Sequence, residues 1–413
     1  MTQINRLLPL FLAAALLLAG NGLQGTLVAI RASQEGFPAL VIGLMGTAYY
    51  AGFLCACRYA PGLIRDVGHI RVFAALAAIA AASALLHVLF IDSYVWIGLR
   101  LATGFCFAGL FMVMESWLNA SSANSDRARI LSIYATVDLM AVTAAQFLLP
   151  AIGPGGFEIF ALLSILFAIS LVPVALSNRS KPTPPASFKL DLMRIWRVSP
   201  LACMGCFAIG LTNSAFRLVG PVYATHIGLD VTGVALFMSA GILGGAVLLY
   251  PLGLLSDRFD RRWIVIAAST GASVAGILLT LLSGQDNWLI FLGVFLFGAF
   301  ALPLYSLSVA HGNDQAEPGQ YVMISAGLLF FFALGATAGP SIASVIMQHF
   351  GPAAFFTYTS SVHGLLVIAA LLRLVQRPQI NLPTRARFVA LLRTSPSFFK
   401  LAAKAAKSGH NGS

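Results

Sequence analysis

Residues 232–282 read TGVALFMSAGILGGAVLLYPLGLLSDRFDRRWIVIAASTGASVAGILLTLL. Two long uncharged runs, one ending at Ser256 and one starting at Trp263, flank Asp257, Arg258, Asp260, Arg261 and Arg262. A helix rises 1.5 Å per residue and the hydrocarbon core of a bilayer is about 30 Å thick, so about 20 apolar residues cross it. The stretch therefore reads as two membrane spans, 232–249 and 263–282, joined by a short charged turn. Working outward, ten more runs of this kind occur at 7–30, 38–60, 72–90, 94–118, 130–150, 157–176, 201–223, 288–309, 321–347 and 353–372. Composition agrees, with 59% of 413 residues hydrophobic and 9% charged, against roughly 25% charged in soluble domains. These figures exclude a soluble enzyme, a nucleic-acid-binding domain and a secreted disulfide scaffold. The expected fold is all-α and polytopic, with twelve transmembrane helices in two six-helix bundles.

Only three of the 25 Lys and Arg residues, Arg31, Arg100 and Arg217, lie off one face of this arrangement. Basic residues stay on the cytoplasmic side, so both termini are expected in the cytoplasm. The net charge of +11 is then a topology signal and calls for no nucleic-acid partner. The two halves repeat: Pro61…Arg71 answers Pro251…Arg262, and Pro150 answers Pro340. Such duplication is common in transporters, with the substrate site between the repeats. The expected organisation is a bundle over 1–176, a cytoplasmic linker over 177–200 with a short surface helix, a second bundle over 201–372 and a basic tail over 373–413. That tail mixes Arg and Lys with Phe and Leu and suits an anionic lipid surface. The five cysteines have no zinc spacing; Cys203-x-x-Cys206 reads as helix packing. No metal or cofactor is expected, and no phosphate-binding glycine loop is present.

The loop Gly253-Leu-Leu-Ser-Asp257-Arg258-Phe-Asp-Arg261-Arg262 resembles the signature of the major facilitator superfamily, with Asp260 where that family usually has Gly. A second copy, Gly62-Leu-Ile-Arg65-Asp66-Val-Gly68-His-Ile-Arg71, has its acidic and basic positions exchanged. Gly62, Asp66, Arg71, Gly253, Asp257, Arg258 and Arg261 are accordingly expected to latch helix ends through charge-assisted hydrogen bonds. Arg100-Leu-Ala-Thr-Gly104 resembles the family's Arg-x-x-x-Gly element, whose Arg is tied to proton coupling or to a polar cluster. Glu115-Ser-Trp117 and Tyr134…Gln146, with Pro221-x-Tyr223-x-x-His226, are similar to the YcaD-like bacterial branch. Drug–proton antiporters of the family carry Gly-x-x-x-Gly-Pro in span five. Here that span has Ala145, Leu149 and Pro150, and the pattern occurs in span eleven as Gly335, Gly339 and Pro340, the expected hinge.

The resemblance implies a central cavity lined by spans 1, 4, 7 and 10, flanked by 2, 5, 8 and 11. Polar residues inside those spans supply the expected substrate site: Asn21, Gln24, Tyr49, Arg100, Asn213, Arg217 and Tyr305. Asp138, eight residues into its span and about 12 Å deep, is the expected proton carrier, with Glu115 next; a static ion pair is the competing role. Two cations favour a small polar or anionic solute. The expected function is secondary active transport by alternating access in a bacterial inner membrane, proton-coupled and monomeric. The rival readings are a multidrug/proton efflux antiporter and a transport-inactive membrane sensor.

Overall fold

The computed structural model describes residues 2–120, 127–175, 191–282, 286–316 and 321–376. Most of the expected linker and nearly all of the basic tail lie outside the described residues. Among those described there are fifteen helices and no strand, and twelve candidate membrane spans, as the sequence predicts. The first half contains α1 (Thr2–Gln34), α2 (Ala39–Val67), α3 (His69–Leu89), α4 (Ser93–Ala120), α5 (Arg127–Gln146), α6 (Leu148–Ile152) and α7 (Glu158–Ala175). After the linker helix α8 (Leu192–Val198) come α9 (Pro200–His226), α10 (Val231–Arg258), α11 (Arg261–Leu281) and α12 (Asn287–Ala301). The chain continues through α13 (Leu304–Asp314), α14 (Tyr321–Phe350) and α15 (Ala354–Gln376).

Two expected spans are each broken in two. The fifth is interrupted at Phe147 and the tenth at Leu302–Pro303. A proline ring clashes with the carbonyl four residues earlier and supplies no N–H, and Pro150 and Pro303 place those clashes at Gln146 and Ala299. The turns at the two signature loops are built differently. Between α2 and α3 a single residue reverses the chain, Gly68 at φ 97°, a conformation that strains any residue with a Cβ. At the second loop Asp260 caps α11, accepting from the Arg262 backbone N–H at 3.0 Å. Its departure from glycine therefore has a structural use: a capping acid satisfies a helix-end donor that glycine leaves open.

The described chain falls into two compact units. One comprises Met1–Pro184, Ala215–Ser239 and Pro340–Gln348, and the other comprises Pro185–Ser214, Ala240–Gly339 and His349–Ser413. Within the first, α2 and α4 pack through a reciprocal glycine pair. A Cβ on Gly52 would strike the Leu101 carbonyl, and one on Gly104 would strike the carbonyl of Tyr49. Within the second, Gly244 meets the Phe295 carbonyl and Gly298 that of Gly241 in the same way. The second pair stands 192 and 194 positions after the first, so the duplication is preserved as helix contacts. Lipid offers helices no hydrophobic drive to associate, so close backbone approach at small residues does that work.

The glycine frame is expected to govern stability. Gly104→Ala should lower the melting temperature in detergent, overpacking the α2–α4 contact at about 1–3 kcal/mol. Gly98→Ala, on the same helix but with open space around its Cβ, should hold or raise it, because alanine favours helix by up to about 1 kcal/mol. Equal melting of the two variants would contradict this account of the packing.

Candidate functional site

Helix α4 brings Arg100 to α2. The close approach at Gly104 sets the α4 backbone against the Tyr49 carbonyl, and one turn earlier the Arg100 guanidinium lies over the Tyr49 ring, 4.5 Å from its centroid. Arg100 is only 4% exposed, with Nε and Nη1 lacking hydrogen-bond partners. It forms no ion pair among the described residues. The Tyr49 hydroxyl donates to Asn21 Oδ1 of α1 at 3.0 Å, and its ring meets Tyr50 edge-on at 5.2 Å. Arg217, on the part of α9 that belongs to the same unit, acts electrostatically on Tyr49. Its backbone carbonyl lies against Gly25 of α1. Three helices, α1, α2 and α4, thus meet at one aromatic ring with a guanidinium group and an amide.

The expected substrate residues do not all gather there. Gln24 is fully buried on α1, three residues after Asn21, with neither side-chain atom hydrogen-bonded. Asn213 and Tyr305 are buried in the second unit, where the Tyr305 ring packs edge-on against Phe332 at 5.2 Å. Asp138 is half-buried on α5, and Glu115 is buried on α4. Both act electrostatically on Tyr134, which precedes Asp138 by one turn of α5. Gln146 donates to the Gly22 carbonyl at 3.3 Å, which ties α5 to α1.

At the second signature loop Arg261, 2% exposed, bridges two acids: Asp257 at 3.0 Å and Asp314 at 3.2 Å, the latter also buried. Arg262 pairs with Asp260 at 2.7 Å. At the first loop Asp66 pairs with its neighbour Arg65 at 3.1 Å, both well exposed. A part-buried contact there is His69 Nε2 with Ser116 Oγ at 3.0 Å, its ring tilted on Trp117. Asp314 and His69 were not among the expected latch residues. Asp314 is the one acid between Asp286 and Glu317; a lone acid at an apolar helix end beside a cationic loop was the available signal. Span eleven is a continuous helix through Gly335, Gly339 and Pro340. Cβ atoms on those glycines would strike the Phe207 and Leu211 carbonyls of α9.

Residues 202–406 match the Major Facilitator Superfamily. The MFS-type transporter YcaD of Salmonella heidelberg (strain SL476) is 24% identical over 386 residues, covering 92% of this chain and 98% of its own. The crystal structure of the nucleoside transporter NupG superposes with a TM-score of 0.75 at 14% identity, covering 90% of this chain and 99% of that one. The human organic anion transporter MFSD10 superposes at 0.59 with 16% identity, covering 90% and 100%. At such identities the superpositions establish the fold alone.

Removing one partner of a buried pair strands the other charge. Asp314→Asn is therefore expected to lower stability by about 3–5 kcal/mol. Asp66→Asn, at an exposed pair, should change it by less than about 1 kcal/mol. Thermal unfolding of the two variants side by side checks the difference.

Proposed function

The chain belongs to the major facilitator superfamily and is a multi-pass membrane transporter, not an enzyme; from that premise we propose that it moves a small polar or anionic organic solute across a bacterial inner membrane by alternating access, coupled to protons. The observation that carries the charge preference is Arg100. A guanidinium at bilayer depth costs about 2.5–3.5 kcal/mol on insertion scales, and the Tyr49 face returns about 2 kcal/mol of that when dry. No carboxylate of the described chain pairs with it. An acid group on the cargo completes the cluster, with Arg217 as a second cation and Asn21 and Gln24 as polar contacts. A lipophilic cation, the usual multidrug cargo, would meet two like charges. The fold shared with MFSD10, whose name describes an organic anion transporter, is in keeping with this reading.

Proton coupling falls to Asp138 and Glu115, the acids placed within spans four and five. The halves over 1–176 and 201–372 are the moving bodies, joined by the linker over 177–200. The Gly339–Pro340 step, where the boundary between compact units crosses α14, is the hinge. Gly62, Asp66, Arg71, Gly253, Asp257, Arg258 and Arg261 hold the latch loops. The surplus of Lys and Arg on one face supports a cytoplasmic position for those loops and both termini, with the basic tail against anionic lipid. The protein works as a monomer.

A thermal-shift panel of benzoate, glutarate, uridine, fucose and tetraphenylphosphonium on the purified protein tests the charge preference, since a ligand of the native state stabilises it by linkage. The carboxylates should raise the melting temperature, and Arg100→Gln should abolish that rise. Stabilisation by tetraphenylphosphonium alone would overturn the reading. With a stabilising anion in liposomes, Asp138→Asn should lose accumulation driven by a pH gradient yet keep substrate–substrate exchange, which needs no proton release. Normal accumulation by Asp138→Asn would remove that carboxylate from coupling.

A further inference from the structure

The linker helix α8 has no part in the cargo or proton chemistry. It has seven residues, and isolated helices under about 12 residues are marginal in water, so packing decides where it lies. Ile195 is buried and fills the space that Gly327 of α14 leaves open, since a Cβ there would strike the Ile195 side chain. Trp196 leans on Phe331, one turn further along α14, with ring centroids 6.2 Å apart. Gly327 stands six residues from the start of α14, about 9 Å along its axis. Helix α9 begins at Pro200, just beyond the Ser199 that ends α8. Both α9 and α14 are membrane spans. Helix α8 is thereby held at the ends of two spans, level with the lipid headgroups.

Its other face is uncovered among the described residues. Met193 is 62% and Trp196 39% exposed, and Arg194 is exposed beside them. An indole and an arginine on one turn suit a bilayer interface: the ring settles at headgroup depth while the guanidinium reaches a phosphate. The local charge has one sign. Residues 177–198 contain Arg179, Lys181, Lys189, Arg194 and Arg197 against a single acid, Asp191. The Asp191 carboxylate caps α8, accepting from the Arg194 backbone N–H at 3.0 Å. Neither α9 nor α14 contains an acid. We propose that the exposed face of α8 is a docking surface for anionic phospholipid, with Met193 and Trp196 entering the acyl boundary and Arg194 pairing with a headgroup phosphate. Four to eight basic residues beside a span attract anionic lipid. A zwitterionic headgroup carries its own cation, which cancels that attraction.

Fluorescence quenching in bilayers tests this surface without any cargo. The chain has five tryptophans, so the difference between a protein and its Trp196→Phe counterpart isolates the Trp196 signal. The bilayers are phosphatidylcholine with a minor fraction of brominated lipid, either phosphatidylglycerol or phosphatidylcholine. Both should quench Trp196, and brominated phosphatidylglycerol more steeply. Arg194→Gln should reduce that preference about fivefold, the worth of one basic residue near an anionic surface. Arg194→Lys should keep it. Equal quenching by the two lipids, or a preference unchanged in Arg194→Gln, overturns the headgroup assignment. A Trp196 signal untouched by either lipid overturns the docking surface altogether.

Discussion

Helix α4 lies against α2 only because position 104 has no side chain. The Tyr49 carbonyl occupies the space where a Cβ would stand, and that contact sets the depth at which Arg100 meets the Tyr49 ring. From there the remaining geometry of the first unit follows. The ring's hydroxyl reaches Asn21 on α1, and the face left uncovered by Tyr50 receives the guanidinium. In water the cation would be solvated and the geometry loose. In a dry interior the aromatic face is what remains to hold it, which makes the arrangement specific.

The same glycine frame recurs in the second half with different contents. Where Arg100 and Tyr49 stand in the first unit, the corresponding positions in the second are Val294 and Gly241. Duplication thus preserved the contact and left the chemistry free to diverge, with the Arg100–Tyr49 pair in one copy alone. The signature loops diverge in a parallel way. One buries an Arg261–Asp257–Asp314 bridge, and the other forms a His69–Ser116 hydrogen bond beside Trp117.

In the proposed mechanism one helix, α4, carries both the cation that meets the cargo and one of the two acids assigned to the proton. Arg100 and Glu115 are fifteen residues apart on an unbroken helix, and such a helix transmits a shift at one end to the other. Coupling requires that the cargo and the proton bias the same conformational equilibrium. A shared rigid element between two polar clusters provides a physical route for it, with the α1–α5 tie at Gln146 and Gly22 holding the second cluster in register.

Much of this protein was legible in its sequence because lipid imposes a simple rule: a span must be long, apolar and satisfied in its own backbone. Span number and the internal repeat followed from that rule, and Arg100 was conspicuous as a charge where charges are expensive. The breaks at Phe147 and Leu302–Pro303 were less legible, since prolines elsewhere, such as Pro221 and Pro340, sit inside continuous helices. The partners of Arg100 and Arg261 were beyond reach. Tyr49 lies 51 residues from Arg100 and Asp314 lies 53 from Arg261; apolar periodicity is nearly uniform around such helices and does not say which face turns toward which neighbour. Only the packed tertiary structure decided that, because helix rotation is set by where two backbones come close enough to exclude a Cβ.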